Sequence, residues 1–212
     1  MSTDPLAPRR WLEAAQRLRA IAATGLAYAG DEYDLERYRE VSSLAHVLLA
    51  DLLGQPPARV EEAFALERGY PTPKVDVRMA AFRDERILLV REASDGGWTM
   101  PGGWADESDS PREAVEREAE EESGYVVRAT RLVAVKDRRR HPYRPEQLGG
   151  TYKLFFLGEI EGGEARPSHE TSDVGFFSAD ALPRLSVGRT LPEDVQRALA
   201  MRRDPSAATY FD

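Results

Sequence analysis

The sequence predicts an α+β protein in which a small helical N-terminal domain, residues 1–69, precedes a sandwich of helices around a mixed sheet, residues 70–212. Three observations lead there. Apolar residues recur at helical spacing up to about Gly69; past the Pro-containing linker "YPTPK" they alternate with a period of two. The later strands and helices lack the regular βαβ alternation of a doubly wound parallel sheet.

In the first segment Trp11, Leu12, Ala15, Leu18, Ile21 and Ala22 form one helical stripe, which Gly25 weakens. A second helix runs from about Asp34 through Leu35, Tyr38, Val41, Leu44, Val47, Leu48 and Leu52, with Gly54 as its stop and Pro56-Pro57 beyond. "ARVEEAFAL" suggests a short third helix. So small a segment supplies a small core, and its stripes are expected to pack on a second subunit, giving a homodimer. A helix-turn-helix DNA-binding module is the competing reading. Eight arginines against eleven carboxylates within residues 1–69 give the wrong sign for duplex binding.

Beyond the linker, Val75, Val77, Met79 and Ala81 alternate with Asp76, Arg78 and Ala80 as a strand, and "RILLVRE" follows the charged turn "RDE" as another. "ATRLVAVKD" and "TYKLFFLGEI" read as strands. "GFFSADALPRL" is expected to enter a turn and short helix, and "LPEDVQRALAMRR" to close the chain as a helix.

Composition narrows the chemistry. The chain of 212 residues has no cysteine, so disulfides and thiolate-ligated zinc are excluded and a metal must be held by oxygen or histidine. The formal charge of −8 opposes broad attraction to nucleic acid or anionic membrane. No apolar run approaches the roughly 20 residues of a membrane span, and the N-terminus lacks the apolar region of a signal peptide. A cytoplasmic location is expected.

The segment "SPREAVEREAEEESGY" carries its own helix boundaries. Ser110 caps, Pro111 suits the first position, Glu113 completes a capping box, and Gly124 supplies the left-handed residue beyond the last turn. Glu118, Glu121 and Glu122 then stand at i, i+3 and i+4, on one face. Like charges at that spacing destabilise a helix by a few tenths of a kcal/mol per pair, and the macrodipole disfavours anions at its C-terminal end. A solvated acidic face is one explanation. The preceding "WTMPGGWADESD" offers another, because a Pro-Gly-Gly turn lets backbone groups approach a bound ion, and carboxylates beside exposed backbone are what hard divalent cations use.

From Gly103 the string "GWADESDSPREAVEREAEEESGY" resembles a Nudix box, whose pattern is Gly, five residues, Glu, seven residues, Arg-Glu, an aliphatic residue, any residue, Glu-Glu, any residue, Gly and a hydrophobic residue. Gly103, Arg117, Glu118, Glu121, Glu122, Gly124 and Tyr125 fall on their required positions. Asp109 stands where the pattern has its first glutamate, and Ala119 is smaller than the usual aliphatic residue. With "TPKVDVRMAAF", "KDRRRH", "SHETSDVGFF" and "LSVGRT", the order of segments is similar to a two-domain Nudix subgroup that includes CDP-choline pyrophosphatase-like enzymes.

The resemblance implies a Nudix-like α/β/α sandwich and a hydrolase that cleaves the pyrophosphate of a nucleoside diphosphate linked to another group by water attack on phosphorus. CDP-choline is the first expected substrate and ADP-ribose the second. It also implies that Glu118, Glu121 and Glu122, with the Gly102 carbonyl, hold Mg²⁺ or Mn²⁺. Gly103 and Asp109 then support the loop, and Arg117 either braces it through Asp109 or a box glutamate, or touches substrate. The general base is a box glutamate such as Glu121, or Glu170 in "RPSHETSD"; His169 beside it reads as structural or solvent-facing. Arg138, Arg139, Arg140 and Arg144 form a basic loop that either contacts substrate phosphates, or an RNA backbone if RNA is handled, or is simply solvated. Trp98 and Tyr152 either stack on a base or pack in the core. The alternative to an enzyme is a non-catalytic nucleotide sensor whose N-terminal helices bind a partner.

Overall fold

A computed structural model describes residues 7–65, 67 and 69–212, with side chains from residue 9 onward. Close contacts divide the chain into two compact units: the chain up to Pro73 together with Glu146–Gly149, and Lys74–Pro145 together with Gly150–Asp212.

The first unit contains α1 (Ala7–Tyr28), α2 (Glu32–Leu53) and α3 (Pro57–Phe64). The Asp31 carboxylate accepts from the Tyr33 and Asp34 amides at the start of α2, and Gly54, at φ 60°, ends it. Leu12, Ala15, Leu49, Ala50 and Val60 form the core, joined by Leu148 from the returning segment. Gln16 Nε2 donates to the Gln147 and Leu148 carbonyls at 3.0 Å each. The predicted stripe of α1 is only partly buried: Leu12, Ala15 and Ala22 face inward, whereas Trp11 is 67% exposed and Leu18 and Ile21 are also exposed. Two antiparallel helices and one short helix cannot cover so wide an apolar surface. On α2, Leu44, Val47, Leu48 and Leu52 likewise face outward. The end of the predicted third helix, Leu66, lies outside the described residues.

The second unit holds β1 (Lys74–Arg83), β2 (Arg86–Glu92), β3 (Trp98–Thr99), α4 (Pro111–Ser123), β4 (Tyr125–Asp137), β5 (Thr151–Gly163), β6 (Thr171–Ser178), α5 (Pro192–Arg203) and β7 (Tyr210–Phe211). The strands run in the order β3-β2-β1-β5-β4-β7, with β6 paired to β2. The sheet is mixed. β1 pairs parallel with β5 and antiparallel with β2, while β4 and β5 pair antiparallel through three register shifts.

Helices cover both faces. Ala114, Val115 and Ala119 of α4 pack on Val77, Met79, Ala81, Leu88 and Val127. Val195, Ala198, Leu199 and Met201 of α5 pack on Ala80, Ile87, Leu89 and Phe155. The sandwich is therefore the α+β architecture expected. β1 is central and covered on both faces, so Asp76 and Arg78 are buried along with the apolar residues they alternate with. One local reading is corrected. The "GFF" of the expected turn and short helix belongs to β6, where Phe176 and Phe177 pair with Leu88 and Ile87, and no helix follows before α5 among the described residues. Among the described residues no helix is long and apolar enough to cross a membrane.

Candidate active site

The site begins with a backbone constraint. Pro101–Ala105 runs beside β1: Val77 N donates to Gly103 O and Met79 N to Pro101 O, both at 2.8 Å, and Ala105 N to Val75 O at 3.0 Å. Gly102 has φ 143°, and a Cβ there would lie 2.0 Å from Val77 O. Only glycine fits that approach. A Cβ at Gly103 would sit 2.6 Å from Glu118 Oε2, so the loop also closes over a box carboxylate.

α4 brings the acidic face to this loop. Its N-terminus shows the expected capping box, with Glu113 N donating to Ser110 Oγ at 3.3 Å and Ser110 N to Glu113 Oε2 at 2.9 Å; Gly124, at φ 76°, closes the other end. Ala119 is fully buried against the sheet, where a larger side chain would need more room. The glutamates around it then fall into three different settings.

Glu122 is 6% exposed and accepts from the Gly102 amide at 2.9 Å. Burial pushes its carboxyl up to about 7, against the opposing pull of Arg78 and of the Gly102 amide. Burial also raises Glu118, against the hydrogen bond and charge of Arg117. Glu121 is exposed. Arg117 ties the group together: Nη1 donates to Glu118 Oε1 at 3.0 Å and Glu121 Oε2 at 3.1 Å, while Nε and Nη2 both reach Asp109 Oδ2, at 3.1 and 3.0 Å. Among the described residues no three carboxylate or imidazole groups converge closely enough to enclose a metal ion. The donor set nevertheless suits a hard divalent cation, since it is all oxygen, flanks a glycine cradle and includes a carboxylate whose burial disfavours its charge.

The remaining predicted residues scatter around this centre. Glu170 is exposed and lies 3.3 Å from His169 Nε2, while its carbonyl accepts from Ala93 N at 2.9 Å. Arg138 is buried and donates to Pro145 O at 2.6 Å; Arg139 Nη2 pairs with Asp137 at 2.7 Å; Arg140 is exposed. Trp98 packs edge-on against Phe177 at 4.5 Å between ring centres, in the core, and Tyr152 is half exposed on β5.

The sequence reading passed over three supports. Glu92, buried at the end of β2, pairs with Arg189 Nε at 2.8 Å; burial raises its carboxyl, against Arg189 and Arg78. Thr190 Oγ1 lies 2.8 Å from Thr99 Oγ1 and accepts from Met100 N at 3.1 Å, anchoring the residues before the Pro-Gly-Gly turn. Arg78 donates to the Met100 carbonyl at 3.3 Å and forks onto Asp76. A charge in the middle of "KVDVRMAAF" was the available signal for the last of these.

Residues 72–196 match the family model described as the NUDIX domain, and residues 9–64 match a UDP-X-like, N-terminal oligomerisation domain. A Bacillus subtilis protein, YjhB, named as a candidate ADP-ribose pyrophosphatase, is 41% identical over 96% of this chain and 97% of its own length. The crystal structure of an ADP-ribose pyrophosphatase from Streptococcus suis is 40% identical, covering 66% of this chain and all of that one, with a TM-score of 0.61. The crystal structure of a UDP-X diphosphatase is 32% identical, covering 97% of this chain and 99% of that one, with a TM-score of 0.62.

Proposed function

This chain belongs to the Nudix hydrolase family, and we propose that it cleaves the diphosphate of ADP-ribose or a closely similar nucleoside diphosphate derivative by water attack on phosphorus. The observation that carries the reading is the meeting of Glu122 with the Gly102 amide while Arg117 holds Glu118 and Glu121 to the same side of α4. The ADP-ribose assignment draws on YjhB and the Streptococcus suis enzyme. CDP-choline, the first expectation from sequence, has no namesake among these relatives and ranks behind it.

Nudix hydrolases generally use divalent metals such as Mg²⁺. In this chain Glu118, Glu121, Glu122 and the Gly102 carbonyl would hold Mg²⁺ or Mn²⁺. Such an ion neutralises a diphosphate and lowers the pKa of bound water. Asp109 and Arg117 brace the loop and helix against each other. Glu121 or Glu170 would take the proton from the attacking water; both are exposed enough to meet it. Of the basic loop, Arg140 and the half-buried Arg139 are better placed to meet substrate phosphates than the buried Arg138.

The second reading, a UDP-linked substrate, is favoured by the UDP-X diphosphatase structure, which aligns over both the helical segment and the hydrolase domain. A homodimer through residues 1–69 is supported by the oligomerisation-domain match and by the outward-facing Trp11, Leu44, Val47 and Leu48. We place the enzyme in the cytoplasm on the composition alone. Replacement Glu121→Gln tests the catalytic reading against the nucleotide-sensor alternative: turnover should be abolished with the fold intact, and an unaltered rate would remove the box from the mechanism.

A further inference from the structure

Three buried charged groups lie on the α5 face of the sheet, between the core and the Pro-Gly-Gly loop. Lys153 Nζ donates to Asp76 Oδ1 at 2.5 Å. Arg78 Nε reaches the same Oδ1 at 3.1 Å and its Nη2 reaches Oδ2 at 2.8 Å, while Nη1 continues to the Met100 carbonyl. Lys153 is 1% exposed, and Asp76 and Arg78 are almost as deeply buried.

Buried ion pairs of this kind are poor stabilisers, because desolvation consumes most of their Coulombic gain and apolar residues would fill the space at lower cost. Their geometry indicates another use. The Met100 carbonyl receives Arg78 and Thr99 Oγ1, and the Met100 amide is held by Thr190. Two residues later the Gly102 amide meets Glu122. The fork on Asp76 fixes the guanidinium plane and so directs Nη1 at the loop, where it meets the Met100 carbonyl.

We propose that the Lys153–Asp76–Arg78 chain is a positioning device for the Met100–Gly103 loop, holding the Gly102 peptide against Glu122 and so setting how tightly the site takes a divalent cation. This inference rests on the metal-binding reading of the box glutamates. None of the three residues touches substrate in this scheme; they act through the loop.

A built-in comparison separates positioning from bulk stability. Lys136 is equally buried, pairs with Asp194 at 2.6 Å and Glu193 at 2.7 Å, and lies over the same Tyr143 and Phe155 rings as Lys153, but makes no bond to the Met100–Gly103 loop among the described residues. Mn²⁺ dissociation constants would be measured without substrate, from the paramagnetic resonance signal of free Mn²⁺, alongside thermal midpoints. Arg78→Lys keeps the charge and loses the fork, and should weaken Mn²⁺ binding about 10- to 100-fold, as loss of an outer support does at other metal sites. Lys153→Met, which leaves the Asp76–Arg78 pair balanced and should fold if Arg78→Lys does not, is expected to shift it in the same direction by a smaller factor. Lys136→Met should lower the thermal midpoint and leave Mn²⁺ binding unchanged. Wild-type affinity in both Arg78→Lys and Lys153→Met, or an equal shift in Lys136→Met, would overturn the inference while leaving the metal site standing. Absence of Mn²⁺ binding by the wild type would instead remove the metal-site reading and this inference with it.

Discussion

Arg117 places two of its nitrogens on a single oxygen of Asp109, at 3.1 and 3.0 Å. The shorter aspartate at this position therefore still reaches its arginine across the loop. The link raises the basicity of Arg117, through the Asp109 hydrogen bond first and the Glu118 bond and charge after it. It also leaves Nη1 free to hold Glu118 and Glu121. Asp109→Ala should lower turnover by about 10- to 100-fold, as removal of an outer support does at other metal sites. Asp109→Glu should stay close to wild type. Steady-state rates on the two variants check this, and a large loss in Asp109→Glu would show that the loop is fitted to the shorter side chain.

Gly102 is the tightest point of the loop. Alanine there would meet the Val77 carbonyl at 2.0 Å in a backbone conformation that side chains rarely adopt. Relieving that overlap should cost about 1–3 kcal/mol and displace the amide from Glu122. Gly102→Ala is expected to lower the unfolding midpoint and abolish activity together. A variant with unchanged activity would exclude the amide from the site's geometry.

Asp76 should show itself in acid. Burial alone would raise its carboxyl, but Arg78 and Lys153 outweigh burial and hold it at about 2, below the unreacted value of 3.8. A folded-state value below the unfolded one means that the stability it contributes is complete above about pH 3.8 and is lost as pH falls through about 2. Asp76→Asn should cost about 3–5 kcal/mol near neutral pH, because it leaves two buried cations short of a counter-charge. The gap between wild type and variant should narrow by roughly 2 kcal/mol between pH 4.5 and 2. Denaturant titrations across that range measure it; a constant gap would contradict the assignment.

The β1–β2 turn carries avoidable strain. Asp84 and Glu85 have φ of 48° and 61°, values suited to Asn-Gly in a two-residue hairpin. Glu85 also pairs with Arg203 at 2.8 Å, an exposed contact worth at most about 1 kcal/mol. The double replacement Asp84→Asn, Glu85→Gly should leave stability unchanged or raise it by up to about 1 kcal/mol. A marked loss in thermal unfolding would mean that the Arg203 pair outweighs the backbone term.

Much of this was legible in the sequence because the relevant signals are local. Ser110, Pro111, Glu113 and Gly124 delimit α4 by capping chemistry alone, and the glutamate spacing fixes the acidic face. The supports beneath the loop were not legible, since they join residues far apart in the chain: Lys153 with Asp76, Thr190 with Thr99, Arg189 with Glu92. Alternation in β1 identifies a strand but does not say whether Asp76 and Arg78 are exposed, and the covering of a central strand on both faces is what places them inside. Nothing in the run "RRR" distinguishes its members, yet Arg138 is buried and donates to the Pro145 carbonyl while Arg140 is exposed.

The most direct test of the account is hydrolysis of ADP-ribose, compared with a UDP-linked sugar and CDP-choline, with Mg²⁺, Mn²⁺ or EDTA present. ADP-ribose should release two monophosphate products in the presence of metal and none in EDTA, and the other two compounds should be cleaved more slowly. Folded protein that leaves all three compounds intact with either metal would contradict it.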